Sequence, residues 1–290
     1  MQRQMKERVL CIAGPTASGK SSRAVAEALG RGGEVVSVDS RQVYRGLDIG
    51  TEKITREEMR GVPHHLLDIR DAREDYSAGD FVTDAARLIR EISARGKLPI
   101  LAGGTHFYFD ALLHGLPEGT DANPALRREL EALQTEELYA QVVARDARRA
   151  AELDPQNRRR LIRALEIIEM RGEVPARPNL APSYDAEWIV IDPPREELRA
   201  RIDARLARAL ARGLVDEVRH VREEVGDARL RELGLEYRVT GEFLRDERTE
   251  ASLLPALSAK LWHYARRQKA WLRKLNNEII AATPLHPDRS

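Results

Sequence analysis

The chain is predicted to adopt an α/β fold, a parallel sheet flanked by helices and interrupted by an all-helical insertion. Three observations predict it. Short apolar runs alternate with amphipathic helical stretches over the first 115 residues. The first run opens straight into a glycine-rich loop, as a buried parallel strand does when it feeds a helix. Strand signal then disappears over about 123–171, where Ala, Leu, Glu and Arg dominate, and returns at Glu187–Ile191.

In order along the chain, Val9–Ala13 is read as a buried strand stopped by Gly14-Pro15, and Ser21–Leu29 as a helix closed by Gly30. Glu34–Val38 is a second strand ending at Asp39-Ser40, and residues 40–63 read as irregular. Phe81–Arg95 places Phe81, Ala85, Leu88 and Ile92 on one helical face. Leu98–Ala102 is a strand followed by Gly103-Gly104-Thr105 and a helical stretch to about Leu113. Pro175, Pro178 and Pro182 mark the end of the helical region. After the returning strand come Pro193-Pro194 and Arg-rich helices at about Arg195–Val225 and Leu253–Asn276. The expected organisation is a core of residues 1–118 and 186–290 with a helical insertion at 119–185.

Composition narrows the class. Lys and Arg number 48 against 47 Asp and Glu, so a net charge of +1 says nothing about partners. The lone cysteine, Cys11, lies in an apolar run; it excludes an internal disulfide and a cysteine-rich zinc module. The opening residues are charged and carry no apolar leader stretch, and no run reaches the roughly 20 apolar residues of a membrane span. A cytoplasmic protein with no membrane partner is expected.

Gly14-Pro15-Thr16-Ala17-Ser18-Gly19-Lys20-Ser21 matches G-x-x-x-x-G-K-[ST] between a strand and a helix. The glycines let backbone N–H groups turn inward onto phosphate oxygens, and the helix dipole adds to their field. Lys20 supplies a mobile cation, and the Ser21 hydroxyl suits a Mg²⁺ bridging the phosphates. The sheet is thereby of the P-loop NTPase-like kind. An ATP-hydrolysing P-loop protein also needs a strand-end acid for the metal. Leu98–Ala102 ends without one, and Asp192 sits in Asp-Pro-Pro, where it equally serves a turn.

Ligands of parallel α/β sheets bind at the carboxyl ends of the strands. Asp39, Ser40 and Thr105 all fall there. Asp39 suits a general base beside the phosphates, and it suits a capped turn equally well. His64-His65 point to opposite sides of an extended segment with no further ligand nearby, which argues for packing and hydrogen bonding. Two other readings fit a P-loop: a nucleoside or nucleotide kinase using ATP, and a nucleic-acid-dependent NTPase. The absent acid counts against the first, and the block Asp39–Lys53 has no explanation under the second.

Taken together, the motifs resemble one family, the tRNA dimethylallyltransferases (tRNA isopentenyltransferases). The resemblance is carried by the P-loop and by Asp39-Ser40-Arg41-Gln42-Val43-Tyr44-Arg45-Gly46-Leu47-Asp48-Ile49-Gly50-Thr51-Glu52-Lys53. It continues through His64-His65-Leu66-Leu67-Asp68, Gly103–Tyr108, Asp154-Pro155, Arg160–Glu166 and Arg266–Trp271, in order over nearly the whole chain. Two departures stand out: Gly234-Leu235-Glu236-Tyr237-Arg238 replaces a G-Y-[KR] segment, and the zinc-finger tail of eukaryotic members is absent.

The resemblance implies a monomer that moves a dimethylallyl group from dimethylallyl diphosphate to the N6 amine of the adenosine beside the anticodon of tRNA. It implies Asp39 as base, with Lys20, Thr105 and Arg231 as further catalytic residues, and the cradle Gly14–Ser21 on the diphosphate with Mg²⁺ at Ser21. For the anticodon stem-loop it implies Asp39, Ser40, Arg41, Gln42, Thr105, Arg127, Arg159, Arg160, Leu161, Ile162 and Arg163; the Arg clusters add Arg158, Arg266, Arg267 and Arg273 as candidates for phosphate contacts, each equally suited to a solvated helix face.

Overall fold

The computed structural model describes residues 6–116, 123–175 and 183–282. The elements run β1 (Arg8–Ala13), α1 (Lys20–Arg31), β2 (Gly33–Val38), α2 (Arg56–Met59), β3 (His64–His65), α3 (Ala78–Ala94), β4 (Leu98–Gly103) and α4 (His106–His114). They continue α5 (Pro124–Ala132), α6 (Thr135–Arg145), α7 (Ala147–Glu152), α8 (Arg158–Arg171), β5 (Asp185–Val190), α9 (Arg195–Ala211), α10 (Leu214–Leu230), α11 (Leu235–Leu244) and α12 (Glu250–Ala282). The chain divides into two compact units, one of residues 1–113 and 182–290, the other His114–Ala181.

In the first unit, five strands among the described residues form one parallel sheet in the order β3-β2-β4-β1-β5. This is the predicted α/β class. β1 is an interior strand between β4 and β5, and its apolar run is buried on both faces. Leu10 and Ile12 face α1, packing with Ala24, Val25 and Ala28. Val9, Cys11 and Ala13 face the opposite way, into the larger core of α3, α9, α10 and α12. Edge strand β5 exposes Asp185 and Glu187 at its start, while Trp188 and Val190 pack on the larger core and Ile189 on the α1 side. One consequence positions the site. Ala13, Val38, Gly103 and Val190 lie in register, so the loops after β1, β2 and β4 leave the sheet side by side.

Several expected spans change for local reasons. Helix α3 begins three residues early because Ser77 and Asp80 make a capping box. The long helix expected from Arg195 breaks after Ala211, where Gly213 takes φ 96°. Leu235–Leu244, not expected as a helix, forms α11. The stretch 40–63 contains the single turn α2 and runs into β3. Strand β5 opens at Asp185, inside the range assigned to the insertion, because Asp185 donates its N–H to Glu7 and pairs with β1.

The described residues of the second unit form four helices rather than one continuous run. Gln134, Asp146 and Asn157 each cap a new start. Asp146 also accepts the Val174 N–H at 2.9 Å, which pins the end of the unit to its middle. Leu138, Val142, Leu161, Leu165 and Ile168 make its core.

Candidate active site

The three strand-end loops open into a cleft of about 670 Å³, lined wholly by the first unit. Its floor is the predicted P-loop. Gly14 allows no side chain, since a Cβ there would stand 2.7 Å from both the Ile191 carbonyl and Ser18 Oγ. Pro15 leads into the curl, and Ala17 (φ 61°) and Gly19 (φ 89°) bend it through the left-handed region. For Ala17 that conformation is strained, as at many ligand clamps. Helix α1 then starts at Lys20 with no side chain capping its N-terminus. Its free N–H groups and dipole are therefore left for an anion. Thr16, Ser18 and exposed Ser21 line the same wall.

Lys20 folds back so that Nζ donates to the Pro15 carbonyl at 2.6 Å. Burial pushes its ammonium down to about 8; Asp39 and Glu52 oppose that shift and Arg205 adds to it.

Asp39, Ser40, Arg41 and Gln42 all reach the cleft, as does Thr105. Asp39 makes the capped turn and also lines the cleft. Its Oδ1 accepts the N–H groups of Arg41 (2.8 Å) and Gln42 (3.3 Å), an Asx turn that fixes the carboxylate at the cleft mouth. The Thr105 hydroxyl accepts the Ser40 N–H at 3.1 Å, so the ends of β2 and β4 are tied together. Gln42 donates to Thr51 and Glu52 carbonyls and anchors the following loop.

Arg231 is not brought to this cleft. It is exposed at the C-cap of α10, and the chain turns into the cleft wall only at Gly234, with φ 144°. A different cation is there. Arg205 of α9 is 7% exposed and bonds Thr16 Oγ1, the Gly50 carbonyl at 3.1 Å, Glu236 at 3.1 Å and Glu52 at 3.1 Å. Burial pushes the Glu236 carboxyl up, with Arg205 opposing. Arg201 donates to the Ser18 carbonyl at 3.2 Å. Gln268 of α12 is also buried here: Oε1 accepts the Thr16 N–H and Nε2 donates to the Gly104 carbonyl, both at 2.9 Å.

Sequence reading gave Arg205 and Gln268 no role, although a signal existed. In α9 the buried positions Leu198, Ile202, Arg205 and Ala209 form one stripe, and in α12 Leu261, Ala265, Gln268 and Leu272 repeat the spacing. A polar side chain at a core position of a helix needs a buried partner. Glu217 was likewise unmarked; its carboxylate accepts the N–H groups of Asp48, Ile49 and Gly50 at 2.7–3.0 Å and the Tyr237 hydroxyl at 2.6 Å.

Other candidates resolve as structure. Asp192 pairs with Lys269 at 2.6 Å and does not line the cleft, which removes it as a metal ligand there. His64 bonds the Val62 carbonyl and His65 bonds Glu34. Among the described residues no cluster of three or more His, Cys, Asp or Glu could hold a metal.

In the second unit, Arg127 and Arg163 share Glu166, at 3.2 and 3.1 Å, and keep 45% and 43% of their side chains exposed. Arg159 and Arg160 are exposed at the start of α8. Leu161 and Ile162, also expected at the tRNA, bury their side chains in the unit's core. Arg158 is spent on the Leu133 and Leu130 carbonyls, where it closes α5.

Residues 42–275 match the family model described as IPP transferase. A tRNA dimethylallyltransferase of Anaeromyxobacter dehalogenans (strain 2CP-C) is 42% identical, over 97% of each chain. One of Thermomicrobium roseum is 44% identical, over 92% of this chain and 84% of its own. The crystal structure of a tRNA isopentenylpyrophosphate transferase from Bacillus halodurans superposes with a TM-score of 0.70 at 39% identity, covering 92% of this chain and 87% of that one. A structure of a eukaryotic dimethylallyltransferase acting on tRNA gives 0.78 at 28% identity, over 92% and 70%. With the cradle, the Asp39–Lys53 block and the match over 42–275 in one continuous chain, this protein belongs to the IPP transferase family.

Proposed function

We propose that the protein transfers a dimethylallyl group from dimethylallyl diphosphate to the exocyclic N6 amine of an adenosine next to the anticodon of tRNA, releasing diphosphate. The carrying observation is the convergence of an uncapped P-loop helix, Asp39 at the end of β2 and Thr105 after β4 on one cleft, with no acid at the end of β4. Gly104 and Thr105 stand after β4 where an ATP-hydrolysing P-loop protein carries its metal-holding acid, which favours a diphosphate grip over ATP hydrolysis.

In this reading the diphosphate lies on Gly14–Ser21, against Lys20 and within reach of Arg205. Asp39 takes a proton from the amine as its nitrogen attacks the first allylic carbon; the carbon–oxygen bond breaks and its electron pair leaves with the diphosphate. Thr105, already bonded to the Ser40 N–H, orients the acceptor from the β4 side. Stabilising the charge that develops on the leaving group is the largest contribution asked of the site. Mg²⁺ fits the donor set, because the Ser21 hydroxyl with substrate phosphates and water suits a cation that takes few protein ligands. When bound, it neutralises charge on the leaving diphosphate. The acceptor base leaves its stack to enter, at low cost in an unpaired loop. Arg127, Arg159, Arg160 and Arg163 supply contacts to RNA phosphates from the helical unit.

The test is incubation with labelled dimethylallyl diphosphate, Mg²⁺ and unmodified tRNA. Label entering tRNA supports the reading; phosphoryl transfer from ATP, with none of the prenyl label transferred, refutes it.

A further inference from the structure

Beyond Ala13 and Gly103, the last paired residues of β1 and β4, the P-loop and the Gly104-Thr105 loop part from the sheet register. The donor cradle belongs to the first loop, and Thr105 on the acceptor side belongs to the second. One side chain bonds the backbone of both. Gln268 reaches from α12, 5% exposed, to accept from Thr16 N–H and donate to the Gly104 carbonyl at 2.9 Å each. The fit is close, since a Cβ on Gly104 would stand 2.8 Å from Gln268 Nε2. One turn further on, Trp271 stacks at 4.4 Å on His106, the first residue of α4 directly after Thr105. The same helix face thus braces both loops.

The primary amide is the one side-chain group of this length that accepts at one end and donates at the other. A carboxylate cannot donate to Gly104, and an apolar chain does neither. Prenyl transfer by direct displacement requires the leaving group and the attacking nitrogen to be held at near-attack separation, and about 1 Å of misplacement costs on the order of 10²-fold in rate. We propose that Gln268 is a positioning residue for group transfer: it sets the spacing between the diphosphate cradle and the Thr105 loop. The proposal rests on the functional reading above. It assigns Gln268 to the turnover step rather than to ground-state affinity, because Lys20 and the α1 N–H groups grip the diphosphate without it.

The test uses Gln268→Met, which keeps length and removes both bonds, and Gln268→Asn, which keeps the amide and shortens its reach. Steady-state transfer from dimethylallyl diphosphate to unmodified tRNA is measured against wild type. Binding of the unreactive thiolodiphosphate analogue is measured by calorimetry. For both variants kcat should fall about 100-fold while analogue affinity stays within about threefold of wild type. In a Thr105→Ala background the same substitutions should cost less than about tenfold, since the spacing they disturb then matters less. The proposal is overturned by a kcat within about threefold of wild type, by a loss confined to affinity, by equal costs in the two backgrounds, or by failure of both variants to fold. A wild-type enzyme that transfers no prenyl group overturns the functional reading itself; transfer by wild type with undiminished variants overturns only the role of Gln268.

Discussion

Lys20 makes donor binding pH-dependent in a window that the structure sets. In the free protein its ammonium is pushed down to about 8 by burial, against the opposing pull of Asp39. A bound diphosphate stabilises the charged form and raises that value, so binding takes up a proton between the two values and affinity is lost as pH rises through 8. At pH 7 about 90% of free Lys20 is charged, and at pH 9 about 10%, so affinity should weaken about tenfold, or about 1.4 kcal/mol. Phosphoryl ionisation near 6 is complete below this window and does not contribute to it. The assay is calorimetric titration of the thiolodiphosphate analogue at pH 7, 8 and 9 with saturating Mg²⁺. Buffers of different ionisation enthalpy should report uptake of about half a proton at pH 8. Lys20→Arg, which stays charged throughout, should bind with a flat profile. A wild-type affinity equal at pH 7 and 9, or the same slope in Lys20→Arg, refutes the reasoning.

Other outcomes follow from the same geometry. Asp39→Asn keeps an oxygen for the Arg41 and Gln42 N–H groups and removes the base, so kcat for prenyl transfer should fall about 10²–10⁴-fold with analogue affinity retained; transfer at the wild-type rate removes Asp39 from the chemistry. Glu217→Ala strands three backbone N–H groups and the Tyr237 hydroxyl and should cost about 2–4 kcal/mol in urea unfolding; a loss under about 1 kcal/mol contradicts it. His106 is held neutral, its ring pushed down to about 4 by burial and by Lys20. The unfolded chain therefore binds the extra proton between about 6.5 and 4, and stability falls as pH drops through that range. At pH 4.5 the loss should be up to about 2.5 kcal/mol in wild type and absent in His106→Phe, read from urea midpoints at pH 4.5 and 7.

The sheet was legible because β1, β2 and β4 are covered on both faces, so burial imposes unbroken apolar runs on Val9–Ala13, Glu34–Val38 and Leu98–Ala102. The P-loop was legible because its backbone demands glycine at 14 and 19. Helix breaks were harder to read. Gly213 interrupts a periodicity that stays apolar on both sides of it, and Asn157 and Asp146 cap through side-chain geometry that composition does not reveal. Arg231 and Arg205 make the sharpest contrast. The resemblance selects the first, but three-dimensional placement depends on where α10 ends and how the chain turns. The second carries a one-dimensional mark, a cation in an apolar stripe, whose meaning appears only once Glu52, Glu236 and Thr16 are seen around it.

That surrounding also explains why Lys20 should govern donor affinity. Arg205 is already paired with two carboxylates, so its charge is largely neutralised before any anion arrives. Bringing it fully onto the donor requires giving up contacts it holds to Glu52, Glu236 and the Gly50 carbonyl, and those losses offset much of the gain. Lys20 has the opposite standing: among the described residues its side chain bonds neutral groups, the Pro15 carbonyl and Ser18 Oγ, and it sits partly desolvated beside the uncapped helix start. A diphosphate therefore improves the surroundings of Lys20 far more than those of Arg205. It follows that Lys20→Met should weaken analogue binding and abolish its pH dependence together. Arg205→Met should act mainly by loosening Gly50 and Thr16, and should keep a pH dependence, moved to higher pH because the Arg205 charge no longer depresses Lys20.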